Sequence, residues 1–276
     1  MDDFKEKLDS ILREINEENL IYDQSEEWMY REYYEEIQSY AYKKQLLNTA
    51  LALPVARALH QGSYRGTIVS PSGQKWKRPY FVHSLLVCQM LIVLRIPLAH
   101  DEEDILLASA LCHDILFVLQ FPDQGEEMTD IYKLDHRVTE ILKLIYEGNC
   151  ETEEERQQIF DKVQDNKLAL LLRLADRGHV AEELYRVSVW KAHEYIYETK
   201  NYYYSMCIYA REKYPELETI IRVLQEKMHD LSVVAEIFVT RYEKRVEELN
   251  SEILALQEDN VLLRKKIRDI KMRNNN

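Results

Sequence analysis

Glycine and proline are scarce: the 276-residue chain holds six of each, where average usage of about 7% and 5% would give roughly nineteen and fourteen. These residues shape turns and end helices and strands, so so few of them predict long helices joined by short loops. Charged residues make up 31% of the chain, with Glu and Leu abundant, which suits amphipathic helices with solvated outer faces. The expected fold class is all-α.

Three zones follow along the chain. Residues 1–44 are acidic and carry Phe4, Leu8, Ile11, Leu12 and Ile15 at helical spacing. Residues 45–234 hold nearly all the apolar mass, and their periodicity predicts helices over 46–60, 82–94, 102–119, 130–147, 153–163, 166–175, 179–200, 202–213 and 216–230. Gly62 to Pro79 is rich in Gly, Pro and Ser and reads as a loop, as does Phe121 to Thr129. Residues 235–276 form the third zone. There Val246, Ile253, Asn260 and Ile267 fall at heptad position a, and Leu249, Leu256, Leu263 and Ile270 at d. β-Branched residues at a with Leu at d favour two parallel strands, and one Asn at a sets their register. Asp259 with Arg264 is an attractive g-to-e′ pair and Lys266 with Lys271 a repulsive one. The tail is expected to make a homodimeric coiled coil; the alternative is a terminal helix packed on its own domain.

The formal net charge is −13. Nucleic acid is bound mainly by Lys and Arg neutralising phosphates, so this balance argues against it as a partner. Basic residues collect instead in the tail, at Arg264, Lys265, Lys266, Arg268, Lys271 and Arg273. Cys88, Cys112, Cys150 and Cys207 form no CxxC pair, as expected of a reduced protein rather than a disulfide framework. The N-terminus shows no signal-peptide pattern and no apolar run reaches bilayer length. The expectation is a soluble cytoplasmic protein with no membrane partner.

Four residues stand out on otherwise apolar segments. His113 and Asp114 are adjacent after Ala110-Leu111-Cys112, His83 opens an apolar run, and Asp176 ends another. A buried carboxylate needs a cation or several donors; Arg177 beside Asp176 could supply a salt bridge, and a metal ion is the other solution. Two imidazoles with two carboxylates suit Mn, Fe or Zn better than Mg or Ca, and leave positions open for phosphate oxygens.

The segments Ala58-Leu59-His60-Gln61-Gly62-Ser63-Tyr64-Arg65, Pro79-Tyr80-Phe81-Val82-His83, His113-Asp114 and Leu174-Ala175-Asp176-Arg177-Gly178-His179 occur in that order. In this the chain resembles RelA/SpoT-type hydrolases of the HD superfamily, over roughly residues 47–231 and without a synthetase domain. The resemblance implies an HD-type helical bundle in which His83, His113, Asp114 and Asp176 hold manganese, with His113 and Asp114 central to catalysis. It also implies removal of pyrophosphate from the 3′ position of guanosine tetra- or pentaphosphate, with Arg65 contacting the nucleotide. Lys75, Lys77, Arg78 and Arg177 are the further cations expected to meet substrate phosphate. Three features depart from the family pattern. Phe117 and Val118 stand where it has a catalytic Glu-Asp pair, Val180 replaces a nucleotide-holding Asn, and the loop between Arg65 and Tyr80 is longer.

Other polar residues carry weaker expectations. His60 reads as a packed helix residue, His179 as a packing residue or one that orients a ligand carboxylate, and Glu126 and Glu127 as substitutes for the missing acidic pair or as solvated loop. His100, His136, His193, His229 and the Tyr202-Tyr203-Tyr204 run read as structural. The leading functional expectation is a metal-dependent phosphohydrolase acting on a nucleotide or another phosphorylated small molecule. The alternative is a catalytically degenerate HD module that binds a nucleotide and acts as a dimeric sensor or adaptor.

Overall fold

The computed structural model describes residues 2–15, 20, 24–69, 73, 75–116, 130–146, 150, 152–183 and 187–274. The chain is all-α. Its helices are α1 (Asp2–Glu14), α2 (Arg31–Lys44), α3 (Leu47–Leu59), α4 (Phe81–Leu94), α5 (His100–Cys112), α6 (His136–Ile145), α7 (Glu153–Asp165), α8 (Lys167–Glu182), α9 (Val189–Glu198), α10 (Tyr204–Lys213) and α11 (Glu218–Asn274).

Three of these helices set the core. In α4, Phe81 to Leu85, Val87, Cys88 and Leu91 are buried, and in α5 the run from Asp104 to Cys112 is buried throughout. In α8, Ala169 to Leu172, Leu174, Ala175 and Arg177 to Ala181 are buried. A helix apolar all round has no face to give to solvent, so it must be covered on several sides. Accordingly α5 packs on α3, α4, α6 and α8, and α8 also packs on α4, α7 and α11. Leu8 and Ile15 bring the N-terminal segment onto the same core.

Side chains of α5 and the segment before α6 organise the start of α3. Leu46, the N-cap of α3, supplies no side-chain acceptor. Asp104 of α5 does so instead: it accepts from the backbone N–H groups of Asn48 (2.9 Å) and Thr49 (2.8 Å), the Asn48 amide (3.0 Å) and the Thr49 hydroxyl (2.8 Å). A carboxylate at a helix N-terminus satisfies orphan donors and meets the positive end of the helix dipole. Asn48 Oδ1 then accepts from Asp135 N (2.8 Å), tying in the start of α6.

Several features differ from the sequence expectation. The helix expected over 130–147 is interrupted at residues 133–135, and α6 begins at His136, capped by Asp135. Within Gly62 to Pro79, strands β1 (Tyr64–Val69) and β2 (Lys75–Pro79) form an antiparallel hairpin, pairing Thr67 with Lys77, Ile68 with Trp76 and Val69 with Lys75. The glycines that suggested a loop serve the hairpin. Gly66 sits at φ +79° where the register shifts, a conformation that costs a side chain. Likewise Gly178 does not end a helix. It lies inside α8, where a Cβ would meet Met90 at 3.6 Å and Leu224 at 3.7 Å, so the small residue lets α4, α8 and α11 approach. The expected break falls later, between α8 and α9. The loop over Phe121 to Thr129 lies outside the described residues.

α11 is continuous for 57 residues, about 86 Å at 1.5 Å per residue. Its first half packs on α8, α9 and α10. From Thr240 to Arg268 every residue is exposed, so this half does not pack on its own domain. No helix among the described residues is long and apolar enough to cross a membrane. The four cysteines are free thiols.

The role of Asp104 is directly testable. Asp104→Ala strands the first-turn donors of α3, and an unsatisfied buried donor costs about 1–3 kcal/mol. We expect a loss of about 3 kcal/mol in urea unfolding at neutral pH, whereas Glu103→Ala one residue earlier, on the partly exposed Lys44 pair, loses under about 1 kcal/mol.

Candidate metal centre

The four residues singled out on apolar segments meet at one point, where α4, α5 and α8 converge. His83 is in the first turn of α4, His113 caps the C-terminus of α5 with Asp114 next to it, and Asp176 lies in α8. His83 Nε2 is 3.0 Å from Asp176 Oδ1, 3.2 Å from His113 Nε2 and 3.5 Å from Asp114 Oδ2. His113 Nε2 is 3.0 Å from Asp114 Oδ2 and 3.6 Å from Asp176 Oδ1. Ligand atoms set at right angles on bonds of about 2.1 Å stand about 3 Å apart, so this spacing fits a transition-metal ion.

The imidazoles are fixed from behind. His113 Nδ1 donates to Ala110 O (2.8 Å), which leaves Nε2 as the bare nitrogen in the neutral ring. His83 Nδ1 faces His179 Nδ1 at 2.8 Å. His179 thus backs a histidine, not a carboxylate. Burial, with smaller effects from its neighbours, lowers the His179 pKa to about 3, so it faces His83 as a neutral ring and one of the two Nδ1 atoms carries the proton between them. His83 Nε2 points into the group, where it meets Asp176 Oδ1.

Charge in the group is unbalanced. Burial lowers the pKa of His83, and the Arg65 charge adds to this. Burial would lower His113 too, but the charges of Asp114 and Asp176 outweigh it and push its pKa up to about 10. Burial pushes the carboxyls of Asp114 and Asp176 up, yet the neighbouring imidazoles hold both well below the usual carboxylate range. Two carboxylates therefore face one protonated imidazole. Asp114 Oδ2 is buried, with the Nε2 atoms of His113 (3.0 Å) and His83 (3.5 Å) beside it. A buried, net negative group of two nitrogens and two oxygens is the chemistry a divalent cation satisfies. Within it His83, His113 and Asp176 each offer a ligand atom within 4.8 Å of the others, a set that could hold a metal ion.

The expected substrate cations are dispersed. Arg65 Nε lies 3.2 Å from Glu183 Oε2, with its guanidinium 5.6 Å from the Tyr80 ring centre. Arg78 is buried and paired to Glu183 Oε1. These groups line a cavity of about 90 Å³ with Gly66, Thr67 and Val187. Lys75 is exposed, and Lys77 is exposed with its ammonium 5.0 Å from the Tyr64 ring. Arg177 faces elsewhere: it is buried, bonds Glu198 and the Tyr203 hydroxyl (3.2 Å), and lies 4.3 Å over the Tyr203 ring. It neither meets the metal group nor pairs with Asp176, because adjacent helical residues point about 100° apart. Arg173, one turn earlier, approaches Asp176 at 4.0 Å.

His60 is packed as expected, stacked on Tyr80 (5.6 Å), with burial, the largest influence, lowering its pKa to about 4. Val180 is buried. Phe117, Val118, Glu126 and Glu127 lie outside the described residues. Two members escaped the sequence reading. Tyr80 is kept protonated by burial and by the Asp114 charge, and Glu183 joins His83 and His179 in a second group of possible ligands. Asp176, His179 and Glu183 are spaced three and four apart on one helix face, and that spacing was the available signal. Since Glu183 already serves two arginines, a cation in this second group would have to displace them.

Two measurements check the centre. Divalent transition metal at about one hundred times its Kd stabilises the fold by about 2.7 kcal/mol, read as a raised melting temperature that His113→Ala abolishes. Glu183→Ala leaves two arginines without their carboxylate; breaking such a buried pair costs about 3–5 kcal/mol, and we expect a loss near 3 kcal/mol by urea unfolding. Compared with models of known protein families and with curated protein sequences, the chain matches none.

Proposed function

We propose that the protein is a metal-dependent phosphohydrolase of the HD superfamily type, acting on a nucleotide or another phosphorylated small molecule. The observation that carries this reading is the meeting of His83 Nε2, His113 Nε2, Asp114 Oδ2 and Asp176 Oδ1 at 3.0–3.6 Å from three helices. Manganese is the ion the RelA/SpoT resemblance favours, and guanosine tetra- or pentaphosphate is the first substrate to test. A divalent ion held there supplies Lewis acidity toward phosphoryl oxygen and makes a water more acidic.

The protein's own groups do the positioning. Ala110 O and His179 hold the outer Nδ1 atoms of the two imidazoles, with their Nε2 atoms turned inward. Asp114 and Asp176 supply the negative charge that retains a cation. Tyr80, held protonated beside Asp114, can donate its hydroxyl to a phosphate oxygen. Arg65, whose charge is felt by both carboxylates, is placed to neutralise phosphate charge.

A second reading, the nucleotide-binding module with little or no turnover, is favoured by Glu183. It already engages Arg65 and Arg78, so two cations expected to meet phosphate are neutralised within the protein.

Metal analysis of the purified protein, followed by a Mn²⁺-supplemented screen of nucleotides and phosphoesters, separates these readings. The hydrolase reading expects stoichiometric transition metal and metal-dependent release of phosphate or pyrophosphate. Asp176→Asn and His113→Ala lose both, and His179→Ala weakens metal affinity or activity about 10–100-fold. Metal-free protein whose activity survives His113→Ala would sink it; metal and nucleotide binding without turnover would select the second reading.

A further inference from the structure

The buried line of α11 runs through Ile221, Leu224, Met228, Ser232, Ala235 and Val239, each at most 8% exposed, at intervals of three and four residues. α8, α9 and α10 cover it. The same line continues as Tyr242, Val246, Leu249, Ile253, Leu256, Asn260, Leu263 and Ile267, without a change of phase. Its apolar members are now 37–68% exposed. The cover stops where His193 Nε2 meets Glu243 Oε1 at 2.8 Å. Trp190, 81% exposed, lies one turn of α9 before His193, at the edge of that cover.

We infer that this uncovered half of α11 pairs with the same segment of a second copy of the chain, parallel and in register. One line of side chains packs first against the molecule's own helices and then against its twin. An apolar seam of this length on a lone helix is far more than a soluble monomer ordinarily leaves to water. Its spacing is the knobs-into-holes repeat of a two-stranded coiled coil.

Asn260 selects the occupant. In the single chain its Oδ1 accepts from Arg264 Nε (2.9 Å), which leaves the amide N–H groups to find an acceptor. A parallel in-register twin places a second Asn260 opposite, and each amide can serve the other. An antiparallel twin or a purely apolar helix would set Leu or Ile there and strand the amide. Asp259 and Arg264 also complement each other across a parallel pair. The pairing holds whether or not the metal centre turns over a phosphoester.

Sedimentation equilibrium of the full chain tests it. Wild type is expected as a dimer, and Leu249→Glu combined with Leu256→Glu as a monomer. Both positions lie beyond the domain's cover, so the near-ultraviolet circular dichroism of the domain should be retained. Asn260→Cys should form a reducible interchain crosslink under mild oxidation, absent from wild type. A monomeric wild type would overturn the inference, whatever other helix the tail then binds. So would a trimer or tetramer, or a dimer in which Asn260→Cys does not crosslink.

Discussion

Three helices with no polar face to spare meet at a point where two carboxylates and two imidazoles have nowhere else to go. α4, α5 and α8 bury their apolar surface on one another, and that packing fixes the positions of His83, His113, Asp114 and Asp176. Taking carboxylates out of water is costly unless they are compensated. The fold therefore commits itself, through its hydrophobic core, to a buried polar group that could hold a cation. A protonated His113 supplies one positive charge against the two carboxylates.

Around this group the protein balances charge in a second layer. Glu183 sits between the metal group and the hairpin, where His179 lies on one side and Arg65 and Arg78 on the other. Burial pushes its carboxyl up, but Arg78 and Arg65 together outweigh this and hold it below the usual range. The hairpin is thereby tied to α8 by ion pairs as well as by sequence. Arg177 performs the same service at the back of α8, where Glu198 also receives Arg156 at 2.7 Å.

Much of this was legible in the sequence. Scarce Gly and Pro announced the helices, and apolar runs interrupted by His and Asp marked the centre. What was missed shares one cause, because composition does not say what a residue faces. Gly66 marked an irregular hairpin and Gly178 a close helix approach, yet both read as punctuation. Arg177 neighbours Asp176 in sequence but not in space, while Glu183, seven residues on, shares its helix face. Asp104 capping a helix more than fifty residues away has no local signature at all.

The length of α11 has a consequence for how the molecule moves through solution. A folded body of about 230 residues has a radius of gyration near 17 Å, while the uncovered end of α11, from about residue 243 to Asn274, reaches out about 48 Å. That projecting rod adds friction beyond what the compact body alone would meet. Elution volume from a sizing column will thus exaggerate the number of chains, and a short-rod monomer can pass for a compact dimer.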